Sequence, residues 1–472
     1  MNKGFFSGKT VLVMGLGRFG GGVDVARFTA NSGAKVIVTD LASARQLSDS
    51  VGRLEGLDDI EFHLGSHNPA DFEQADIIVA NPAVPGDNEF LQIARRAGKF
   101  VTSQINIFFE LCPVKIIGIT GANGKSTTAA LTAHLLRNAR YEQRATSNQH
   151  VWLSGNIGNQ PLLTTIDRIG PDDLVVLELS SFQLEQLAQI QKAPKVALLT
   201  NLTPNHLDRH GTFANYCAAK ENIFRFQKPN NGRPAVSIFN AEDKIAAEWF
   251  EKYKNDTGRI CIKFSADDVS DELRNCFALP GRANLSNLAG AIAIARYFGA
   301  DDDRIKSCLP EFKALPHRLE QVGEIRGVRW YNDSKATTPE GAITALDAFD
   351  QPIIIIAGGY DKNIPFDKLG EKIAEKAKAA ILIGKTAPKI ASAIQNINTS
   401  LRVKRSNLKT LNTKIELVDS LAEAVQLANQ LAVSDDIVLL SPACASYDMF
   451  ENYEQRGKEF TKLIKSFNKK PD

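Results

Sequence analysis

The 472-residue chain has little cysteine, methionine or tryptophan: six, three and three. The cysteines (112, 217, 261, 276, 308 and 444) are scattered, with no C-x-x-C pair. That argues against a disulfide framework or a zinc site and suits a reduced, cytoplasmic protein. An excess of one charge is also missing. With 56 Lys+Arg against 54 Asp+Glu the net charge is +2, so no broad field draws nucleic acid or an anionic membrane, and any anion site has to be local. No apolar run reaches membrane-spanning length. Met1 to Gly17 reads as a strand and turn rather than a signal peptide. There is no low-complexity linker. What is present is 43% hydrophobic and 23% charged, in a chain long enough for about three domains.

The most informative run is GITGANGKST, Gly118 to Thr127. An apolar strand, Val114 to Ile119, enters a glycine-rich turn, and a helical pattern opens near Thr127. Such a turn presents backbone N–H groups, a helix N-terminus and a lysine to nucleotide phosphates. Gly121, Asn123, Gly124, Lys125, Ser126 and Thr127 are therefore candidate ATP contacts, with Ser126 placed as a Mg²⁺ ligand. Ile119 takes the first glycine position of the common P-loop form. Downstream, the strand Asp173 to Glu178 ends in a carboxylate suited to Mg²⁺. The strand Lys195 to Thr200 precedes Asn205-His206-Leu-Asp208-Arg209-His210. Glu178 alone reads equally well as a solvated strand end, and His206 alone as a loop histidine. Beside a P-loop, both fit metal or phosphate contact.

Two further α/β segments flank this one. The first has the strand Thr10 to Met14, the turn Gly15-Leu-Gly17-Arg18-Phe-Gly20, a helix, and the strand Lys35 to Thr39 ending at Asp40. This fits a dinucleotide site, another nucleotide on the same scaffold, or a bare tight turn. A strand from Asp76 to Ala80 meets Asn81-Pro-Ala-Val-Pro-Gly86. The third segment has strands at Val328 to Trp330, Pro352 to Ala357, Ala379 to Ile383 and Ile437 to Ser441, alternating with helical stretches. Between them, Asn284 and Asn287 precede an alanine-rich run and read as helix caps, with contact to the adenine as the alternative. The expected class is α/β in three domains: Rossmann-like 1–103, a central P-loop ATPase with a parallel sheet at 104–314, and Rossmann-like 315–472. Arg318, Lys335 and Lys362, with hydroxyls at Ser334, Thr337, Thr338 and Ser446, suit a small carboxylate substrate. An ATPase core between two ligand domains suggests phosphorylation of a carboxylate to an acyl phosphate that an amine then attacks.

The chain resembles the Mur ligases, the ATP-dependent amide-forming enzymes of peptidoglycan precursor synthesis. The resemblance rests on TGANGKST (120–127), GNIG (155–158), ELSSFQLE (178–185), LTPNHLDRH (202–210), YCAAKENIF (216–224), LPHR (315–318), NDSKAT (332–337) and SPACASYDMFENYEQRGKEF (441–460). ELSSFQL, NDSKAT and SPACAS with EQRG point to the member that adds D-glutamate to UDP-N-acetylmuramoyl-L-alanine.

The resemblance implies roles. Lys125, Ser126 and Glu178 hold ATP phosphates and Mg²⁺, and His206 helps place a second Mg²⁺. Lys220 matches a lysine that the family carbamylates; its residues alone read as a helix-surface lysine. Asn284 and Arg318 contact ADP, and Asp333 its ribose. Asn156 touches the muramoyl substrate, while Gly17, Arg18 and Asp40 hold its UDP part. Lys335, Thr337, Lys362, Ser446 and Tyr453 surround D-glutamate. The family also implies a cytoplasmic, monomeric enzyme of small molecules that inserts in no membrane, with its third domain closing onto the ATP site.

Phe19, the run after Asp40 with Arg45, Asn81-Pro-Ala-Val-Pro and Tyr453 depart from the family's pattern. All but Tyr453 lie in the first domain. Competing readings are an NAD-dependent dehydrogenase, a sister Mur or folylpolyglutamate synthase-type ligase, and a P-loop switch ATPase.

Overall fold

A computed structural model describes residues 2–18, 20–139, 149–157, 161–229, 232–404 and 413–467, with the side chains of Lys3 and 398–404 excepted. The described chain divides into two compact units: Met1–Val269 with Ser286–Cys308, and Ser270–Leu285 with Leu309–Asp472.

The first unit carries two parallel sheets. One is built from β1 (Thr10–Met14), β2 (Lys35–Asp40), β3 (Ile60–Leu64), β4 (Ile77–Ala80) and β5 (Phe100–Thr102), in the order β3-β2-β1-β4-β5. The other contains β6 (Ile116–Thr120), β7 (Val151–Gly155), β8 (Leu174–Glu178), β9 (Val196–Leu199), β10 (Ala235–Asn240) and β11 (Arg259–Phe264), in the order β11-β10-β9-β6-β8-β7. β6 lies between β8 and β9, both parallel to it. Its residues are buried throughout, as expected of a central strand covered on both faces.

The two sheets share a hydrophobic core. Val11 and Val13 of β1 belong to the same packed cluster as Val175 and Leu177 of β8. Phe108 and Phe109 join it from the helix Gln104–Leu111, which Ser103 caps. The far face of the first sheet packs Leu12, Met14 and Ile78 against Phe72 and Leu91.

The second unit carries β12 (Glu320–Ile325), β13 (Val328–Asn332), β14 (Ile353–Gly358), β15 (Ala377–Ile383), β16 (Lys414–Leu417) and β17 (Ile437–Leu440), in the order β12-β13-β17-β14-β15-β16. Only β12 is antiparallel to its neighbour. Successive side chains of a strand face opposite ways. Accordingly Ile353 and Ile355 enter one core cluster and Ile354 and Ile356 the other.

The strands expected from sequence are present within a residue or two at their ends. β3, β5, β7, β10, β11, β12 and β16 were not singled out. They include the edge strands, whose partly exposed patterns carry less apolar signal. β10 is fully buried and was missed all the same.

Candidate active site

At the end of β6 the chain turns through Gly121 and Gly124, both at positive φ, into the helix Lys125–Asn138. A Cβ on Gly121 would lie 1.9 Å from Thr200 Oγ1, and one on Gly124 2.1 Å from Asn287 Oδ1. Only glycine fits either position. The turn is braced from the end of β9: Asn123 donates its backbone N–H to Asn201 Oδ1 (2.9 Å), and Thr200 Oγ1 donates to the Asn123 carbonyl (2.6 Å).

The chemistry collects around this turn. Ser126 Oγ donates to Glu178 Oε2. The other oxygen of Glu178 accepts from Asn156 Nδ2 at 3.2 Å, so the buried carboxylate at the end of β8 joins the P-loop to the residue after β7. Lys125 Nζ donates to the Ala122 carbonyl at 2.8 Å, folded back over its own loop.

Lys220 corrects the surface reading. It is 2% exposed, on the inner face of the helix Phe213–Arg225. Its Nζ donates to Thr120 Oγ1 at 3.1 Å, and Thr120 in turn donates to the Leu179 carbonyl. Burial, then the positive charge of Lys125, lowers its pKa well below the ordinary lysine value; Glu178 opposes the shift. Tyr216, Lys220 and Phe224 recur at i, i+4, i+8, and that spacing was the available signal of a buried face.

His206 stands at an exposed position with left-handed backbone (φ 52) and packs edge-on to Phe182 at 5.2 Å. Desolvation by its surroundings, then the Lys125 charge, lowers its pKa and favours the neutral ring. Its two neighbours turn elsewhere. Buried His210 pairs with Ser181 Oγ (2.9 Å), and Arg209 donates to the carbonyls of Ala83 and Val84.

The first glycine turn is built differently. Asp40, at the end of β2, accepts the N–H groups of Gly17 (3.0 Å) and Ala42 (2.8 Å), so its carboxylate closes the turn. Gly15 stands at φ 91, where a Cβ would meet Asn81 Cβ at 2.8 Å, and Asn81 Nδ2 donates to the Gly15 carbonyl. The departing Asn81 therefore supports the turn from below. Arg18 and Arg45 are exposed. Phe19 and Gly158 lie outside the described residues.

In the second unit, Asp333 is buried at the end of β13. It accepts from Ser441 Oγ (2.8 Å) and the Leu319 N–H (3.2 Å). Burial raises its pKa to about 7, against the opposing charge of Arg318. Lys335 Nζ lies 5.1 Å from the centre of the Tyr453 ring. Ser446 is buried, Thr337 half-buried and Lys362 exposed. Asn284 and Asn287 are not caps. Both lie inside the helix Arg282–Tyr297; Asn284 donates to the Pro280 carbonyl, and Asn287 accepts from Thr128.

Arg456 was missed. Its buried guanidinium donates to Ser334 Oγ and to the carbonyls of Ser334 and Cys444, tying NDSKAT to SPACAS. Burial lowers its pKa to about 10.

Three family models match the chain in order: the Mur ligase MurD-like N-terminal domain over 9–103, the Mur ligase middle domain over 119–278, and the Mur ligase glutamate ligase domain over 317–444. A UDP-N-acetylmuramoylalanine–D-glutamate ligase of Roseiflexus sp. (strain RS-1) is 40% identical over 98% of this chain and 99% of its own. The chain belongs to the Mur ligase family. It is accordingly an ATP-dependent amide ligase. The same-named protein of Pelotomaculum thermopropionicum is 36% identical, over 98% of this chain and 99% of its own.

Among solved structures, MurC of Thermotoga maritima has a TM-score of 0.55 at 16% identity, covering 97% of this chain and all of its own. MurF of Acinetobacter baumannii reaches 0.56 at 15%, covering 97% and 91%. These distant likenesses establish that the Mur ligase fold is shared. The dehydrogenase and switch readings leave the three matched domains unexplained.

Proposed function

We propose that this ligase joins D-glutamate to UDP-N-acetylmuramoyl-L-alanine, with ATP cleaved to ADP and phosphate. The observation that carries the reading is the convergence of Lys125, Ser126, Glu178 and buried Lys220 around the end of β6. The shared name of full-length relatives at 36–40% identity supports the substrate pair.

The reaction proceeds in two steps. A carboxylate oxygen of the muramoyl-alanine attacks the γ-phosphorus of ATP, giving an acyl phosphate and ADP. The free amine of D-glutamate then adds to the carbonyl, loses a proton, and the tetrahedral intermediate expels phosphate as the amide forms. Both steps build negative charge on phosphoryl oxygens, which Lys125 and the turn's N–H groups neutralise. Gly121, Asn123, Gly124 and Thr127 complete the phosphate cradle, Asn156 contacts the muramoyl part, and Gly17, Arg18 and Asp40 serve the UDP part. Asn284, Arg318 and Asp333 contact ADP. Lys335, Thr337, Lys362, Ser446 and Tyr453 receive D-glutamate.

Among the described residues no group of three or more His, Cys, Asp or Glu is arranged for a metal. The adjacent Ser126 hydroxyl and Glu178 carboxylate still suit Mg²⁺, which takes one or two protein oxygens and completes its shell with water and phosphate. When bound there it neutralises phosphate charge; His206 and Lys220 belong to the same group of candidate ligands.

Lys220 fits carbamylation. A neutral amine adds CO2 and releases a proton, leaving a carboxylate where the Lys125 charge disfavours a cation. Repulsion between the two becomes attraction. The domain limits 1–103, 104–314 and 315–472 follow the three sheets. We take the enzyme to be monomeric and cytoplasmic; no described helix is long and apolar enough to cross a membrane.

Phosphate release with UDP-N-acetylmuramoyl-L-alanine, ATP, Mg²⁺ and a panel of amino acids tests the reading. D-Glutamate alone should support turnover. Preference for another amino acid, or equal hydrolysis without the muramoyl compound, overturns it.

A further inference from the structure

One buried carboxylate of the first unit takes no part in this chemistry. Asp24 is 5% exposed, in the first turn of the helix Gly21–Asn31 that opens directly after the first glycine turn. It has no cationic partner among the described residues; it is satisfied by five donors instead. Oδ2 accepts the N–H groups of Leu162 (2.9 Å) and Leu163 (2.7 Å) and Gln104 Nε2 (2.6 Å). Oδ1 accepts the Thr164 N–H (3.0 Å) and its hydroxyl (2.8 Å).

Four of the five donors belong to one short segment between β7, which ends beside Asn156, and β8, which ends in Glu178. The fifth begins the helix that connects the two sheets. A buried carboxylate is tolerated only when its acceptor sites are filled, so these bonds hold the segment in one position. No other described residue links the first glycine turn's helix to the segment 162–164 through a charged group.

We propose that Asp24 is a positioning residue that fixes the spacing between the first glycine turn and the P-loop module, and with it the reach of the muramoyl substrate. The inference rests on the reading that this substrate is held by its UDP end at residues 15–40 and reacts beside Asn156 and Glu178. A molecule gripped at one end places its carboxyl correctly only if the two ends of the site keep a fixed separation. ATP contacts the P-loop alone in this unit and does not sample that separation.

The test is steady-state phosphate release by the full-length enzyme carrying Asp24→Asn. An asparagine keeps the shape but turns an NH2 group toward N–H donors, whichever way it is placed. The KM for UDP-N-acetylmuramoyl-L-alanine should rise roughly tenfold or more, equivalent to losing about one charge-assisted hydrogen bond. The KM values for ATP and D-glutamate should stay within about twofold of wild type. Gln104→Met and Thr164→Val each remove one donor and keep the fold if Asp24→Asn does not; they should shift the same parameter by smaller steps. An unchanged muramoyl KM in all three, or equal rises in all three substrates, overturns the inference. Wild-type enzyme that shows no turnover with this substrate pair removes the functional reading instead, so the two failures are distinguishable.

Discussion

The first unit contains the same local device twice, a parallel strand running through left-handed glycines into a helix, and the two copies differ in the charged groups beside them. At residues 15–20 the acid at the neighbouring strand end, Asp40, turns inward and closes the loop by accepting two backbone N–H groups. At residues 121–126 the corresponding acid, Glu178, reaches across to the Ser126 hydroxyl and to Asn156, while Lys125 and Lys220 place two amines nearby. The backbone motif thus provides a cradle of N–H groups in both places. Neighbouring strands and helices decide which charged groups stand beside that cradle.

The contrast breaks most sharply at Lys125. Lys125→Ala should lower kcat by ~10²-fold to 10³-fold or more, the scale of removing a charge aimed at the transition state; phosphate release close to wild type would make the two turns equivalent. Next is Lys220→Ala, expected to cost ~10²-fold and to recover partly with formate or acetate, since a free carboxylate can enter the space the side chain leaves. Absence of rescue would count against the carbamate while leaving the ligase reading in place.

Asp40→Asn probes the first turn. It should raise the muramoyl KM about five- to tenfold with kcat nearly unchanged, consistent with loss of one backbone hydrogen bond of about 1 kcal/mol. A fall in kcat with unchanged KM would move Asp40 into the chemistry.

Stability and not turnover is what changes at a buried acid with a different environment, Asp333, whose pKa is raised from 3.8 to about 7. The folded state then holds a proton that the unfolded state has lost. The penalty is absent below about pH 4, grows as pH rises toward about 7, and is constant above. Between those limits Asp333→Asn should lose less stability than wild type, by ~2–4 kcal/mol at about 1.4 kcal/mol per unit. Denaturant midpoints at pH 4.5 and pH 7.5 measure the difference; parallel shifts in the two proteins would show that Asp333 ionises normally.

The sequence made the P-loop turn legible because its parts are contiguous. Gly121, Gly124, Lys125 and Ser126 must adjoin to work, so spacing alone exposes them. The central strands other than β10 were equally plain, being runs such as Ile353–Gly358 buried on both faces. Lys220 was misread because a lysine on a helix is usually solvated, although Tyr216 and Phe224 one turn to either side marked its face as internal. Asp24, and the role of Arg456 within the EQRG run, were out of reach for another reason. Their partners are mostly backbone groups, and those of Asp24 in the 162–164 segment lie 138 to 140 residues away. Backbone donors and acceptors carry no residue signature, so a side chain that binds them leaves no paired motif.

The continuous core under the first two sheets bears on recombination between relatives. Val11, Val13, Phe108, Val175 and Leu177 are parts of a single packing problem. A chimera spliced after residue 103 would pair interior surfaces that never adjusted to each other, even with both sheets intact. Exchange that carries 1–269 together with 286–308 keeps those surfaces matched, so the inheritable cassette of this enzyme is larger than its smallest recognisable domain.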